Sequence, residues 1–92
     1  MQKPEPQTTH ELKIERPYFL AVKSGEKTFE IRNNDRGYQK GDKVILRELD
    51  DNGGYSGHRL SAEIGYVLWT PQICSGNVCF SLLNVQEQFD AR

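Results

Sequence analysis

Alternating polar and apolar residues predict short strands over much of this chain, after a polar start. Residues 1–9 (MQKPEPQTT) show no periodicity and are predicted to be a disordered lead-in. His10–Ile14 alternates polar and apolar residues, which is the period of a half-buried strand. Pro17 fits the first turn of a helix, and the apolar run Tyr18–Val22 predicts a short helix that ends at Ser24-Gly25.

The clearest alternation lies in Lys27–Asn33, which is predicted to be a strand. Phe29 and Ile31 share one face, and we expect this face to be buried in the core. The opposite, polar face carries Thr28, Glu30 and Arg32.

The second half of the chain predicts three further strands. Lys43–Leu49 is one, and the Asp50–Gly54 run is a hairpin loop by composition. Strand character returns over Arg59–Trp69, and Val78–Val85 is predicted to be the last strand. Residues 86–92 are predicted to be a polar tail or a short terminal helix.

Five strands and one early helix predict an α+β domain over residues 10–85, built on a small mixed or closed β-barrel. A length of 92 residues favours one domain, and a net charge of -1 excludes a wholly basic coat that holds nucleic acid by charge alone. No apolar run approaches the ~20 residues of a membrane span, and the start of the chain does not resemble a signal peptide. We therefore expect a cytoplasmic protein without membrane contact, in which Cys74 and Cys79 are free or buried thiols.

The segment Ser24–Arg32 (SGEKTFEIR) carries a specific resemblance. Its pattern Gly-x-Lys-x-x-Glu-x-Arg resembles the ASCH domain, a branch of the PUA-like superfamily. The wider run is similar to the DUF3850 group of ASCH-related proteins, a family of small uncharacterised bacterial and phage proteins. The blocks of that run are His10-x-Leu-Lys-Ile, Tyr18-Phe19, Asn34-Asp35-Arg36, Gly41-Asp42, Leu46-Arg47-Glu48 and Tyr55-Ser56-Gly57. The resemblance implies a small PUA-like, ASCH-type β-barrel and an association with RNA.

The polar face of the predicted strand is the candidate binding site. Arg32 and Lys27 suit a phosphate, and Glu30 can accept a hydrogen bond from the exocyclic amine of a base. The alternative is a solvated strand face with a Glu30–Arg32 ion pair worth well under ~1 kcal/mol. Because the family motif falls on these residues, we expect a site for RNA or a nucleotide-like ligand, formed by Lys27, Thr28, Glu30, Arg32, Arg36 and Tyr38.

Enzyme activity is a second hypothesis, which the resemblance weakens. In the ASCH branch that hydrolyses an acylated cytidine nucleoside, a threonine nucleophile stands at the position that Glu30 occupies here, with the motif lysine as its partner. Glu30 lacks that hydroxyl, and its carboxylate favours a protonated Lys27, which is the wrong form for a general base. Thr28 lies on the same face but is displaced by two residues. The hypothesis of a small amidohydrolase is therefore the alternative, without an assigned catalytic residue.

Charge and aromatic residues add to the binding hypothesis. Residues 10–47 hold nine basic and six acidic residues, which favours an anionic ligand. Tyr38, Tyr55 and Trp69 lie near predicted loops or strand ends and are candidates for base stacking. The aromatic residues assigned to the core are Tyr18, Phe19, Phe29 and Phe80.

Two further hypotheses concern a metal site and a protein partner. His10, His58, Cys74 and Cys79 can be drawn as a zinc set, but their spacing matches no tight motif, so we expect neither metal nor cofactor. The near-neutral charge leaves open a phage or mobile-element accessory protein that binds another protein, for which 69–73 is the candidate apolar patch. We expect a monomer.

Overall fold

The computed structural model describes residues 7–73 and 75–89, which form one sheet of five strands and one helix. In chain order these are β1 (Thr9–Ile14), α1 (Arg16–Ser24), β2 (Phe29–Asn33), β3 (Lys43–Leu49), β4 (Tyr55–Leu68) and β5 (Asn77–Phe89). The strand order is β1-β3-β4-β5-β2. β1 runs parallel to β3, and the other neighbouring pairs are antiparallel. The sheet is therefore mixed, as predicted, and it curls into a half-barrel.

The open side of the half-barrel lies between its two edge strands, β1 and β2, and we call this gap the seam. Arg32 Nη2 donates to the carbonyl of Lys13 at 2.9 Å, and Arg36 Nη1 donates to the carbonyl of Glu11 at 3.1 Å. Successive residues of a strand direct their backbone groups to opposite sides, so these two carbonyls point away from β3. Two arginine side chains thus bridge the edges where strand-to-strand hydrogen bonds would close a barrel.

Helix α1 forms as the sequence predicts. Pro17 lies in its first turn, where the missing N–H has no partner to lose, and Gly25 ends it in the left-handed region at a φ of 86°. Phe19 and Val22 face the core, whereas Tyr18 is 53% exposed, so its assignment to the core is wrong. Within the described ranges, no helix is long and apolar enough to span a bilayer.

Strand β2 has the opposite orientation to the predicted one. Glu30 pairs in register with Phe80 of β5, a core residue, and is itself only 4% exposed. Phe29 is 42% exposed and Ile31 is also exposed, so both point outward. The predicted burial of Phe29 and Ile31 is therefore wrong, because the polar side chain that faces inward is neutralised by cations on either side.

The other core positions come from alternate residues of the strands. They are Leu12, Ile14, Val44, Leu46, Leu60, Ala62, Ile64, Val78, Phe80 and Leu82, together with Tyr38 of the loop after β2. Phe19 and Phe80 are the bulkiest fully buried side chains, as the sequence predicted for both.

Several predicted boundaries move outward. β4 begins at Tyr55 instead of Arg59, and β5 continues to Phe89. Residues 86–89 are consequently strand, not the polar tail or helix expected, because β4 and β5 pair beyond the core, for example Arg59 with Gln88. Thr9 belongs to β1, while residues 1–6 and 90–92 lie outside the described residues.

Candidate functional site

An open pocket of about 460 Å³ lies at one end of the seam. It is formed by the end of β1, the start of α1 and the strand β2 with the residue segment that leads into it. Its lining residues are Lys13, Ile14, Glu15, Tyr18, Lys27, Phe29, Glu30, Ile31 and Arg32. We call it the basic-aromatic pocket. Its volume lies within the ~300–1,000 Å³ range of small-ligand sites.

A carboxylate between two cations forms the floor of this pocket. Arg32 Nε donates to Glu30 Oε1 at 2.9 Å, and Arg32 Nη2 lies 2.8 Å from the same oxygen as an ion pair. Lys27 Nζ donates to Glu30 Oε2 and to the carbonyl of Phe29, the latter at 2.8 Å. One buried negative charge thus faces two partly exposed positive charges, which leaves a net positive cluster at the pocket surface.

Two aromatic rings border the same cations. Tyr18 from α1 and Phe29 from β2 both line the pocket and are both exposed. Lys27 Nζ lies 5.8 Å from the centroid of the Tyr18 ring and 5.1 Å from that of the Phe29 ring. Such distances allow cation–π attraction, which helps to hold the ammonium between the rings.

The structure brings together three of the six residues predicted for the site, namely Lys27, Glu30 and Arg32. Thr28 is exposed outside the pocket, and its carbonyl accepts a hydrogen bond from the backbone of Leu82. Arg36 is half-exposed and binds across the seam. These two residues support the edges of the site without lining it.

Tyr38 differs most from its predicted role. Its ring is buried between His10, at a centroid distance of 4.7 Å, and Phe80, at 4.9 Å. Burial raises the pKa of the Tyr38 phenol, although the charges of Arg36 and Arg32 oppose this rise. The stacking role predicted for Tyr38 is wrong, because core side chains already contact its ring.

His10, whose ring packs against that of Tyr38, also has a structural role. His10 Nε2 lies 2.8 Å from Asp42 Oδ2, and both side chains are buried. Asp42 also accepts a hydrogen bond from the backbone N–H of Gln39 at 3.1 Å, which fixes the turn before β3. Among the residues that the structure describes, no three His, Cys, Asp or Glu side chains cluster as metal ligands, and Cys74 lies outside them.

Sequence reasoning missed six of the lining residues, of which Lys13, Tyr18 and Phe29 bring a positive charge or an aromatic ring to the pocket; the others are Ile14, Glu15 and Ile31. For Tyr18 the sequence held no signal, because Tyr18 and Phe19 lie four and three residues before Val22 and either spacing fits the buried face of a helix. For Phe29 the alternation of β2 gave two equivalent faces, and only the pairing of Glu30 with Phe80 decides between them. Lys13 lines the pocket because the curl of the sheet brings the end of β1 close to β2, and no local sequence pattern indicates this curl.

The architecture defines a small, mostly β domain in which one helix and two bridged edges enclose a charged pocket. The family model described as "Domain of unknown function (DUF3850)" matches residues 9–82, and the chain belongs to this family. A relative from Escherichia phage P2, "Uncharacterized 12.9 kDa protein in GpA 3′region", is 40% identical over 55 residues, which is 60% of this chain. The aligned region covers 50% of the length of that relative.

Proposed function

We propose that the protein is an RNA- or nucleotide-binding module whose ligand occupies the basic-aromatic pocket. The observation that carries the proposal is the convergence of two exposed aromatic rings and two partly exposed cations on one open pocket. In the same proposal, the half-barrel is a PUA-like domain of the ASCH type that acts as a monomer in the cytoplasm.

The cations supply the affinity for phosphate. Lys27 has three N–H donors, of which two engage Glu30 and the carbonyl of Phe29, so one remains for a ligand. Arg32 uses Nε and Nη2, and among the described residues its Nη1 has no hydrogen-bond partner. Lys13 adds a third positive charge at the rim. A phosphate oxygen is the acceptor that suits such donors.

The aromatic rings supply a surface for a base. Tyr18 and Phe29 are exposed in the free protein, although each carries a ring whose burial would stabilise the fold. Stacking of a base on an aromatic ring contributes about 1–3 kcal/mol. A ligand with both a phosphate and a flat ring therefore uses both halves of the pocket.

The structure changes the role that we assign to Glu30. Both of its oxygens are occupied by Lys27 and Arg32, so the direct reading of a base by this carboxylate becomes less favourable. Its proposed role is instead to position the two cations, because it fixes both in a geometry that leaves their outer donors toward the pocket.

Neither alternative function gains an observation of its own here. For an amidohydrolase, the pocket lining contains no serine, threonine or cysteine among the described residues, and Thr28 lies outside it. For a protein-binding accessory role, Trp69 is exposed but Ile73 is only half-exposed. Both remain hypotheses behind the binding module.

The test is a binding measurement on matched variants. Isothermal titration of the protein with adenosine monophosphate and with a single-stranded RNA of about six nucleotides, a length typical of such sites, compares Lys27→Ala with Lys23→Ala. Lys23 lies on α1 and pairs with Glu87, outside the pocket. Lys27→Ala should weaken binding about tenfold and reduce the salt slope for RNA by about 0.7, because one phosphate contact is lost.

The aromatic half is tested in the same way. Tyr18→Ala should weaken binding about tenfold, whereas Leu20→Ala, an exposed residue on the same helix but outside the pocket, should leave it unchanged. Equal effects of the pocket variants and their controls, or no binding of either ligand by the wild-type protein, would contradict the proposal.

A further inference from the structure

A second aromatic surface lies beyond the loop that follows β2. Tyr66, near the end of β4, and Trp69, just after it, line an open cavity of about 490 Å³ together with Val67 and residues 37–40. Tyr66 is 69% exposed and Trp69 is 58% exposed. Within the described residues, neither ring packs against another aromatic ring. Exposed, unstacked aromatic rings beside a lysine again combine a stacking surface with a positive charge.

A local irregularity of β4 turns Tyr66 outward. The register of β4 against β5 shifts between Ile64 and Val67, which is typical of a β-bulge. The N–H of Tyr66 donates to Ser81 Oγ at 2.8 Å instead of to a strand carbonyl. Gly65 allows this approach, because a Cβ at that position would lie 2.5 Å from the same oxygen. The bulge therefore exposes the Tyr66 ring, which a regular strand would direct to the other face of the sheet.

Positive side chains connect the two aromatic surfaces along the seam. Lys27 lies at the basic-aromatic pocket, Arg32 and Arg36 cross from β2 and its loop to β1, and Lys40 lies at the second cavity. At about 3.3 Å per residue, the path from Lys27 to Asn33 alone is about 20 Å long. Lys40 is exposed and, among the described residues, forms no ion pair, so its charge is available to an anion.

A ligand that uses this whole path must be an extended polyanion with flat rings. A free nucleotide fills only one of the two cavities, and a mainly apolar peptide has no partner for the line of cations. Single-stranded nucleic acid has both features, since its phosphates follow the cations and its bases reach the rings at each end.

We infer that the protein binds single-stranded nucleic acid along the seam, with one base in the basic-aromatic pocket and another on Tyr66 and Trp69. This inference rests on the proposed function and extends it from a nucleotide unit to a strand. Lys40 contacts the phosphate backbone of the nucleic acid near the second base. Arg32 and Arg36 contribute positive potential along the seam between the two aromatic surfaces.

The experiment uses Trp69 as its own probe, because it is the sole tryptophan of the chain. Adenosine monophosphate and oligoadenylates of about six nucleotides, as RNA and as DNA, are titrated into the protein. We expect the oligonucleotide to bind about tenfold more tightly than the mononucleotide and to quench Trp69 fluorescence, whereas the mononucleotide leaves that fluorescence unchanged. Comparison of the RNA and DNA arms identifies which backbone is preferred.

Variants separate this inference from the proposed function. Anisotropy of a labelled oligonucleotide and calorimetry with adenosine monophosphate are measured on Tyr66→Ala and Trp69→Ala. Tyr55→Ala is the control, because Tyr55 lines neither cavity and the Arg47 guanidinium already lies 3.6 Å from the centroid of its ring, which argues against the stacking role first considered for it. The first two should lower oligonucleotide affinity to the mononucleotide level without changing mononucleotide affinity. Lys40→Ala should reduce the salt slope by about 0.7, and Lys43→Ala should not.

Equal affinity for mononucleotide and oligonucleotide, or oligonucleotide binding that is unchanged in both Tyr66→Ala and Trp69→Ala, would overturn the inference and leave the proposed function standing. Absence of binding of every ligand to the wild-type protein would overturn both.

Discussion

Replacing Glu30 by glutamine tests whether the buried carboxylate organises the pocket. The side chain keeps its size but loses the charge that faces Lys27 and Arg32, and its new amide N–H₂ must face one of these two cations, both of which are donors. Removing one partner of a fully buried ion pair costs about 3–5 kcal/mol. Lys27 and Arg32 are partly exposed and can regain water, so we expect a smaller loss of about 2 kcal/mol.

That loss is large for a chain of this size, whose free energy of unfolding is about 5–14 kcal/mol. It corresponds to a decrease in Tm of about 8–16 °C, measurable by calorimetry or by circular dichroism. Glu26→Gln is the matched control, because Glu26 is exposed just before the same segment and should change stability by less than about 0.5 kcal/mol. Equal Tm values for Glu30→Gln and Glu26→Gln would refute the buried-carboxylate argument.

Four further substitutions test the fold by denaturant unfolding. Phe29→Ala should cost about 1–2 kcal/mol and Phe80→Ala about 3–5 kcal/mol, because only the latter ring is fully buried; the reverse order would restore the face first predicted for β2. Because burial raises the pKa of Tyr38, the native state keeps a proton that the unfolded chain releases, and stability should fall as pH rises above about 10. Tyr38→Phe should lessen this alkaline loss, and an identical pH profile would argue against burial as its cause. Gly65→Ala should cost about 1–3 kcal/mol, since its Cβ collides with Ser81 Oγ, and wild-type stability would exclude the close approach.

The secondary structure could be predicted well because its signals are local. Pro17 and Gly25 mark the two ends of α1, and the alternation in Lys43–Leu49 matches the observed strand β3. The ends of β4 and β5 could not be predicted, because residues 86–88 are polar and become strand only by pairing with β4. Their pattern alone resembles an exposed tail.

The candidate site could be predicted only in part. Alternation along a strand places Glu30 and Arg32 on the same face, and the structure confirms that they meet. Lys27 lies just before β2, and its long side chain reaches Glu30 from there. Which way they face depends on contacts across the sheet, above all the pairing of Glu30 with Phe80. The same limit explains Tyr38, whose loop position suggested exposure while its ring fills the core. In each case the deciding partner is remote in sequence.

The central claim, that the basic-aromatic pocket binds a nucleotide unit, is tested most directly by NMR chemical-shift mapping. The labelled protein is titrated with adenosine monophosphate, and shifts of the backbone amides are followed to saturation. The proposal predicts that the largest shifts cluster at Lys13, Tyr18, Lys27 and Ile31, while the Asp50–Gly54 hairpin loop stays unchanged. Spectra that do not respond, or shifts confined to residues outside the pocket, would contradict it.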